Sequence, residues 1–223
     1  SLHNGMSVVD VPSSIEGVRA YAVGGTPTDC VIMGLWRLTQ GDVDLIVSGI
    51  NLGGNMGTDI LYSGTVMATL QGYYRQIPSM AVSLAIQGEA PHMRFDVASK
   101  LAELLALNMT SGTMPDGAIL NVNVPSIPQE MVKGIVITKA ASRSYVRLVA
   151  SQHNVDLGRS WSAQRAAELG IHEGTDIWAI YSGQISITPL RPTVTDHHSI
   201  PTLTEHVTTL ESDLLRTVLD GTE

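Results

Sequence analysis

The sequence predicts an α/β fold, and three observations carry that reading. Residues 43–50, VDLIVSGI, and 78–84, PSMAVSL, are apolar runs without in-and-out alternation, the pattern of strands covered on both faces in a parallel sheet. Segments with helical spacing lie between and after them, so strand and helix alternate along the chain. The connections from strand to helix are rich in Gly, Asn, Ser and Thr, as in SGINLGGNMG at 48–57.

Taken in order, residues 6–11 and 18–23 read as short strands separated by a Pro-Ser-Ser turn. Thr26 suits the cap of a helix beginning at Pro27, where Val31, Leu35 and Leu38 recur at helical spacing until Gly41. The run 43–50 follows as a strand expected at the centre of the sheet. Residues 66–75 read as a helix, 78–84 as a second buried strand and 95–107 as an amphipathic helix; 117–125 and 133–140 supply further strands. Residues 176–190 read as two strands around Ser182-Gly183, a hairpin signal. In 202–219, Val207, Leu210, Leu214, Leu215 and Val218 share one helical face. Residues 142–174 show the weakest periodicity and are expected to leave the core as a long excursion, mobile or shaped for a partner subunit. A hairpin at 176–190 is too small to bury its own apolar side chains, Trp178, Ile180, Ile185 and Ile187, which points to subunit contacts there and in the last helix. There is no internal repeat, and a single domain is expected over 1–223.

Composition narrows the function classes. Lys and Arg total 13 against 21 Asp and Glu, a formal net charge of −8, so no overall field attracts DNA or RNA. The lone cysteine, Cys30, allows neither an internal disulfide nor a Cys-rich zinc site; it reads as a small core residue within its helix and suits a reducing compartment, with the cytoplasm as the expected location. No apolar run approaches the roughly 18 residues of a membrane span, and no basic-then-apolar leader opens the chain.

In an open α/β sheet, ligands bind beyond the carboxyl ends of strands, where helix N-termini favour anions. SGINLGGNMG follows the strand 43–50, and YSGT at 62–65 directly precedes a helix. Gly64 permits close approach of an anion, Ser63 and Thr65 offer hydroxyl donors, and a phosphate fits this chemistry. Asn51 brings a neutral carbonyl oxygen to the strand end, an oxygen donor that Mg²⁺ or Mn²⁺ accepts beside carboxylates. Gly and Asn also serve as plain turn residues in such loops. Asp59 reads as a helix cap or a ligand, and Asp29 as a complement to its helix dipole. The loop matches neither a P-loop, for want of a following Lys, nor a dinucleotide fingerprint. The seven histidines share no ligand spacing, the pair His197-His198 reads as a solvated loop, and no GxSxG elbow supports covalent catalysis.

The blocks GGTPTDCVIMGL, VDLIVSGINLGGNMGTDILYSGTVMATLQG, IPSMAVSL, ILNVNVP and GTDIWAIYSGQISITPL resemble, in the same order, those of the SurE (stationary-phase survival protein) nucleotidases. The resemblance implies a Rossmann-like three-layer core with a C-terminal β-hairpin and helix extension exchanged between subunits of a homodimer or homotetramer. It implies a divalent-metal-dependent phosphatase (Mg or Mn) acting on nucleoside 5'- and 3'-monophosphates, and on short polyphosphate in some members. In that family two adjacent Asp of an N-terminal NDDG, a loop Ser and the Asn of SGIN hold the metal. Asn51 matches that Asn, and Ser1 falls at the loop Ser. The resemblance assigns Asn51, Ser63 and Thr65 to catalysis, and Ser63, Gly64, Thr65 and Asn55 to the phosphate.

NDDG does not occur in these 223 residues. The expectation is a nucleotidase of this type whose metal carboxylates lie upstream of Ser1. The rival, from another class, is a catalytically silent α/β protein that binds nucleotides or phosphate.

Overall fold

The structure, a computed structural model, describes residues 6–39, 42–86, 93–151 and 162–220. The chain divides into two compact units, Ser1–Leu190 and Arg191–Glu223.

In the first unit, β1 (Val8–Val11) and β2 (Ala20–Val23) form a separate antiparallel pair, with Val8 opposite Val23. Helix α1 (Pro27–Met33) opens with a capping box: Asp29 N–H donates to Thr26 Oγ1 at 3.2 Å and Thr26 N–H returns to Asp29 Oδ2 at 2.8 Å. Both orphan donors at the helix start are thereby satisfied, and Asp29 also sits where the dipole favours a negative charge. The helix runs on as a π-helical turn, Gly34–Leu38, on which Leu35 is buried. Cys30 lies in α1 as expected, yet it is exposed rather than in the core. One helical step of about 100° separates it from Val31, which with Leu35 marks the more covered side.

The main sheet has the order β3 (Ile46–Leu52), β4 (Ser79–Ala85), β5 (Ile119–Pro125), β7 (Ile185–Leu190), β6 (Ile135–Ile137). β3, β4 and β5 are parallel; β7 runs antiparallel to β5 and parallel to β6. β4 and β5 are buried along their whole length, as continuous apolar runs require. On one face Met80, Val82, Leu84, Leu120, Val122, Val124, Ile185 and Ile187 pack with Ala98, Leu101 and Met109 of α3 (Phe95–Thr110). On the other, Val66 of α2 (Gly64–Tyr73) packs with Ala81 and Ile60. Full burial of a side chain such as Leu84 or Val122 stabilises by about 1.5–3 kcal/mol, so this layering is the main source of order.

Three expectations are corrected. β3 is an edge strand among the described residues, with Val47 and Leu52 each 49% exposed, so the strand expected at the centre has a partner on one side only. Residues 176–190 are not a hairpin: α6 (Asp176–Tyr181) precedes β7, and Gly183, at φ +76°, makes a helix-to-strand turn. Thr175 caps α6, and Ile177, Ile180 and Tyr181 are all nearly or fully buried, which a two-sided hairpin could not achieve. Residues 142–151 and 162–174 are not an excursion either. α4 (Tyr145–Ser151) and α5 (Ala163–Glu168) bring Tyr145, Leu148, Ala166 and Ile171 into one cluster with Met56, Ala85 and α6. The apolar residues that looked unable to bury themselves are covered within their own chain, with Ile185 4% and Ile187 6% exposed.

The second unit contains α7 (Ile200–Asp220). His197 and His198 lie exposed ahead of it, as expected. Ile200, Leu203, Val207, Leu210 and Leu214 are all exposed, spaced alternately three and four residues apart. The side chains of Leu215 and Val218 lie outside the described residues.

Candidate functional site

The site is built where β3 ends. A Cβ at Gly49 would overlap the carbonyl oxygen of Val82 on the neighbouring strand, and φ there is +127°, so only glycine fits. At this point the β3–β4 register shifts, between Ser48 and Asn51, and Asn51 comes to lie beside Ser83. Asn51 Nδ2 donates to Gly53 O at 2.7 Å. That bond fixes the amide plane and leaves Oδ1 to accept.

Register then continues the polar row across the sheet, from Ser83 to Asn123 and from Asn123 to Ser186. These side chains grip the loop. Asn55 N–H donates to Asn123 Oδ1 at 2.9 Å, Asn55 Nδ2 to Ser83 Oγ at 2.7 Å, and Asn55 O accepts from Asn121 Nδ2 at 2.8 Å and Asn123 Nδ2 at 3.1 Å. Asn55 is therefore tied to the sheet through its backbone and its amide together. Asn121 and Asn123 are fully buried, and Asn121 Oδ1 has no hydrogen-bond partner. The sequence reading missed Ser83, Asn121 and Asn123. Their signal was present: two Asn at i and i+2 place amides on one face of a strand, where Asn is disfavoured unless its groups are paired.

Asp176 secures the far end of the loop. It is fully buried; Oδ2 accepts from Gly57 N–H at 2.8 Å, and Oδ1 from Ala141 N–H at 2.9 Å and Ile177 N–H at 2.8 Å. Burial raises its carboxyl above the ordinary aspartate value, against the opposing pull of these backbone donors. Asp59, read as a cap or a ligand, is also buried, accepting from Val146 N–H at 2.8 Å and from the Tyr62 hydroxyl. Its hydrogen bond is the chief reason the Tyr62 phenol is raised above its usual value.

A short 3₁₀ helix, Thr58–Tyr62, leads into α2. Ser63 is the N-cap of α2: its Oγ accepts from Val66 N–H at 3.2 Å, which leaves the hydroxyl hydrogen free to donate elsewhere. Gly64 and Thr65 fill the first two helical positions, whose N–H groups have no intrahelical acceptor. Gly64 also lies against Pro27, since a Cβ there would meet Pro27 Cδ at 3.2 Å. The arrangement offers an anion two backbone donors, two hydroxyls and the positive end of a helix. Ser63, Gly64 and Thr65 are contiguous, whereas Asn51 and Asn55 belong to the loop before them. Ser1 lies outside the described residues.

A divalent cation such as Mg²⁺ or Mn²⁺ needs several oxygen ligands, carboxylates among them. Among the described residues no group of three or more His, Cys, Asp and Glu could hold one. Asn51 supplies a single neutral oxygen, and both oxygens of Asp59 are engaged. The described residues do not by themselves form a cation cage.

The family model described as "Survival protein SurE" matches residues 2–147. The chain is 40% identical over 176 residues to the "5'-nucleotidase SurE" of Dehalococcoides mccartyi strain CBDB1, an alignment covering 79% of this chain and 66% of that protein. It is 41% identical over 189 residues to the protein of the same name from Pelobacter propionicus, covering 84% and 75%. Among solved structures, the SurE protein of Aquifex aeolicus superposes with a TM-score of 0.68 at 26% identity, covering 92% of this chain and 81% of that one. This chain thus spans 66% of the length of the first of these relatives.

Proposed function

Because the chain belongs to the SurE family, we propose that it hydrolyses phosphate monoesters of nucleosides, as a 5'-nucleotidase with a divalent cation. The observation that carries this reading is the donor set of Ser63, Gly64 and Thr65 at the start of α2, at the end of the loop that leaves β3. In this reading the two N–H groups and two hydroxyls hold the phosphoryl oxygens, which carry more charge in the transition state than in the substrate. Preorganised donors of this kind stabilise that charge without reorganising. The Asn55 clamp holds the preceding loop, so the donors do not have to be ordered at each turnover.

A bound cation would polarise a phosphoryl oxygen and lower the pKa of an attacking water. Asn51 is the residue here that would contribute to holding it, and the carboxylates such a site requires come from beyond the described residues. Nucleoside 3'-monophosphates and short polyphosphate are further substrates in this reading. The assembly is a homodimer or homotetramer, supported by the exposed stripe along α7, and the compartment is the cytoplasm. No helix among the described residues is long and apolar enough to cross a membrane.

The test is phosphate release from a panel of nucleoside 5'- and 3'-monophosphates by the full-length protein, with Mg²⁺ or Mn²⁺, before and after EDTA. Metal-dependent release that EDTA abolishes supports the proposal. Binding of nucleotides without release under every metal condition would instead favour a silent binding protein.

A further inference from the structure

A second feature stands beside the phosphate loop and is not used by it. Thr58, Tyr62, Ser142, Ser144, Arg143 and Arg147 line an open cleft of about 560 Å³. Tyr62 is the residue immediately before the N-cap Ser63, so the rim of the cleft is one residue from the donor set. The cleft wall is fastened to the loop: Thr58 N–H donates to Arg143 O at 3.1 Å, and Gly57 and Ser144 form an antiparallel bridge.

The charges in this cleft are unbalanced. Neither Arg143 nor Arg147 takes part in an ion pair among the described residues, where the ion pairs are Lys100–Glu103 and Arg165–Glu168. The nearby carboxylate, Asp59, is buried, with one oxygen on Tyr62 and the other on Val146 N–H. Arg143 donates through Nη1 to Leu169 O, which fixes the guanidinium while leaving its other donors open. In a chain of net charge −8, two arginines without an acidic partner among the described residues, beside four hydroxyl-bearing side chains, form a receptor for a compact anion.

We infer that this cleft is a second anion subsite, in which Arg143 and Arg147 hold the second phosphate of a substrate whose first phosphate lies at Ser63, Gly64 and Thr65. The inference rests on the phosphatase reading of that loop and names its substrate class: nucleotides that carry two separate phosphate monoesters. Both arginines are exposed, so the selectivity is greatest at low ionic strength and is screened by salt.

Adenosine 3',5'-bisphosphate and adenosine 5'-monophosphate distinguish the outcomes. With full-length protein at low salt, kcat/KM is measured for each, and the Kd of the bisphosphate is measured by calorimetry in the presence of a chelator. The bisphosphate is expected to be preferred on the order of tenfold, the scale of one charge-assisted hydrogen bond. Arg147→Gln is expected to bring the ratio of the two kcat/KM values towards one and to weaken the Kd in parallel, and Arg147→Lys to restore part of both. A ratio and a Kd that Arg147→Gln leaves unmoved overturn the subsite. Arg143→Gln, if folded by circular dichroism, must move both readouts in the same direction, and failure to do so also counts against it. If the unsubstituted protein releases phosphate from neither nucleotide yet binds the bisphosphate through Arg147, the nucleotidase reading falls and the subsite stands.

Discussion

Asn51, Ser63 and Thr65 carry the phosphate chemistry proposed here through single atoms, and their substitution separates function from folding. Asn51→Ala removes a carbonyl oxygen that no described group uses together with the Nδ2 bond to Gly53 O, so turnover at limiting Mn²⁺ is expected to fall while stability drops by no more than about 0.5–1.5 kcal/mol; activity equal to the parent would remove Asn51 from the site. Ser63→Ala and Thr65→Ala are each expected to lower kcat/KM on the order of tenfold, because a donor to a charged oxygen contributes more than a neutral hydrogen bond. Ser63→Ala carries a further cost of about 1 kcal/mol for the lost cap, readable by denaturant titration. Asn123 acts differently, since it both donates to and accepts from the Asn55 backbone. Asn123→Ala leaves Asn55 N–H without its acceptor and is expected to destabilise by about 1–3 kcal/mol. A variant as stable as the parent would show that the loop holds itself.

At the level of elements, the decisive unit is β3, its loop and α2, closed by α6. Gly57 has φ +58°, and a Cβ there would run into the Arg143 carbonyl oxygen. Gly57→Val is expected to cost about 2 kcal/mol or more, seen as a shift in denaturation midpoint. Asp176 gives the same junction a dependence on pH. Its folded pKa lies above its ordinary value, so its contribution to stability is fully present below that ordinary value and is lost as pH rises through the folded pKa. Asp176→Asn should remove this acid-side slope from stability measured against pH, and also lower stability throughout, because an amide cannot accept at both ends. Strands 78–84 and 117–125 were legible in the sequence because burial on both faces leaves a continuous apolar run. α6 was not. Its six residues make fewer than two helical turns, and in TDIWAIYSGQISITPL the cap at Thr175 is a weaker signal than the Ser-Gly pair behind it.

Over the whole molecule, what the sequence left unread is mostly long-range. The contiguous YSGT motif could be placed at a helix start by inspection, whereas the grip of Asn121 and Asn123 on Asn55, 66 and 68 residues away, depends on strand order and register. The same applies to residues 142–151 and 162–174, whose short helices bury apolar side chains against α6, Met56 and Ala85. In the second unit, the three-and-four spacing of Ile200, Leu203, Val207, Leu210 and Leu214 is that of a coiled-coil seam. Leu210→Glu is expected to shift sedimentation at micromolar concentration towards a smaller species, and an unchanged species would place the assembly contacts elsewhere. The bond from Gly57 to Asp176 also has a consequence in time. It joins positions 119 residues apart, so during synthesis the loop that follows β3 leaves the ribosome long before the carboxylate that fastens it. A nascent chain arrested before residue 176 is expected to leave the Gly57 amide unprotected in hydrogen exchange, and protection to appear once α6 has cleared the exit tunnel. On this account the loop is fastened only after α6 has been made, and a message interrupted before residue 176 yields a fragment whose loop is still open.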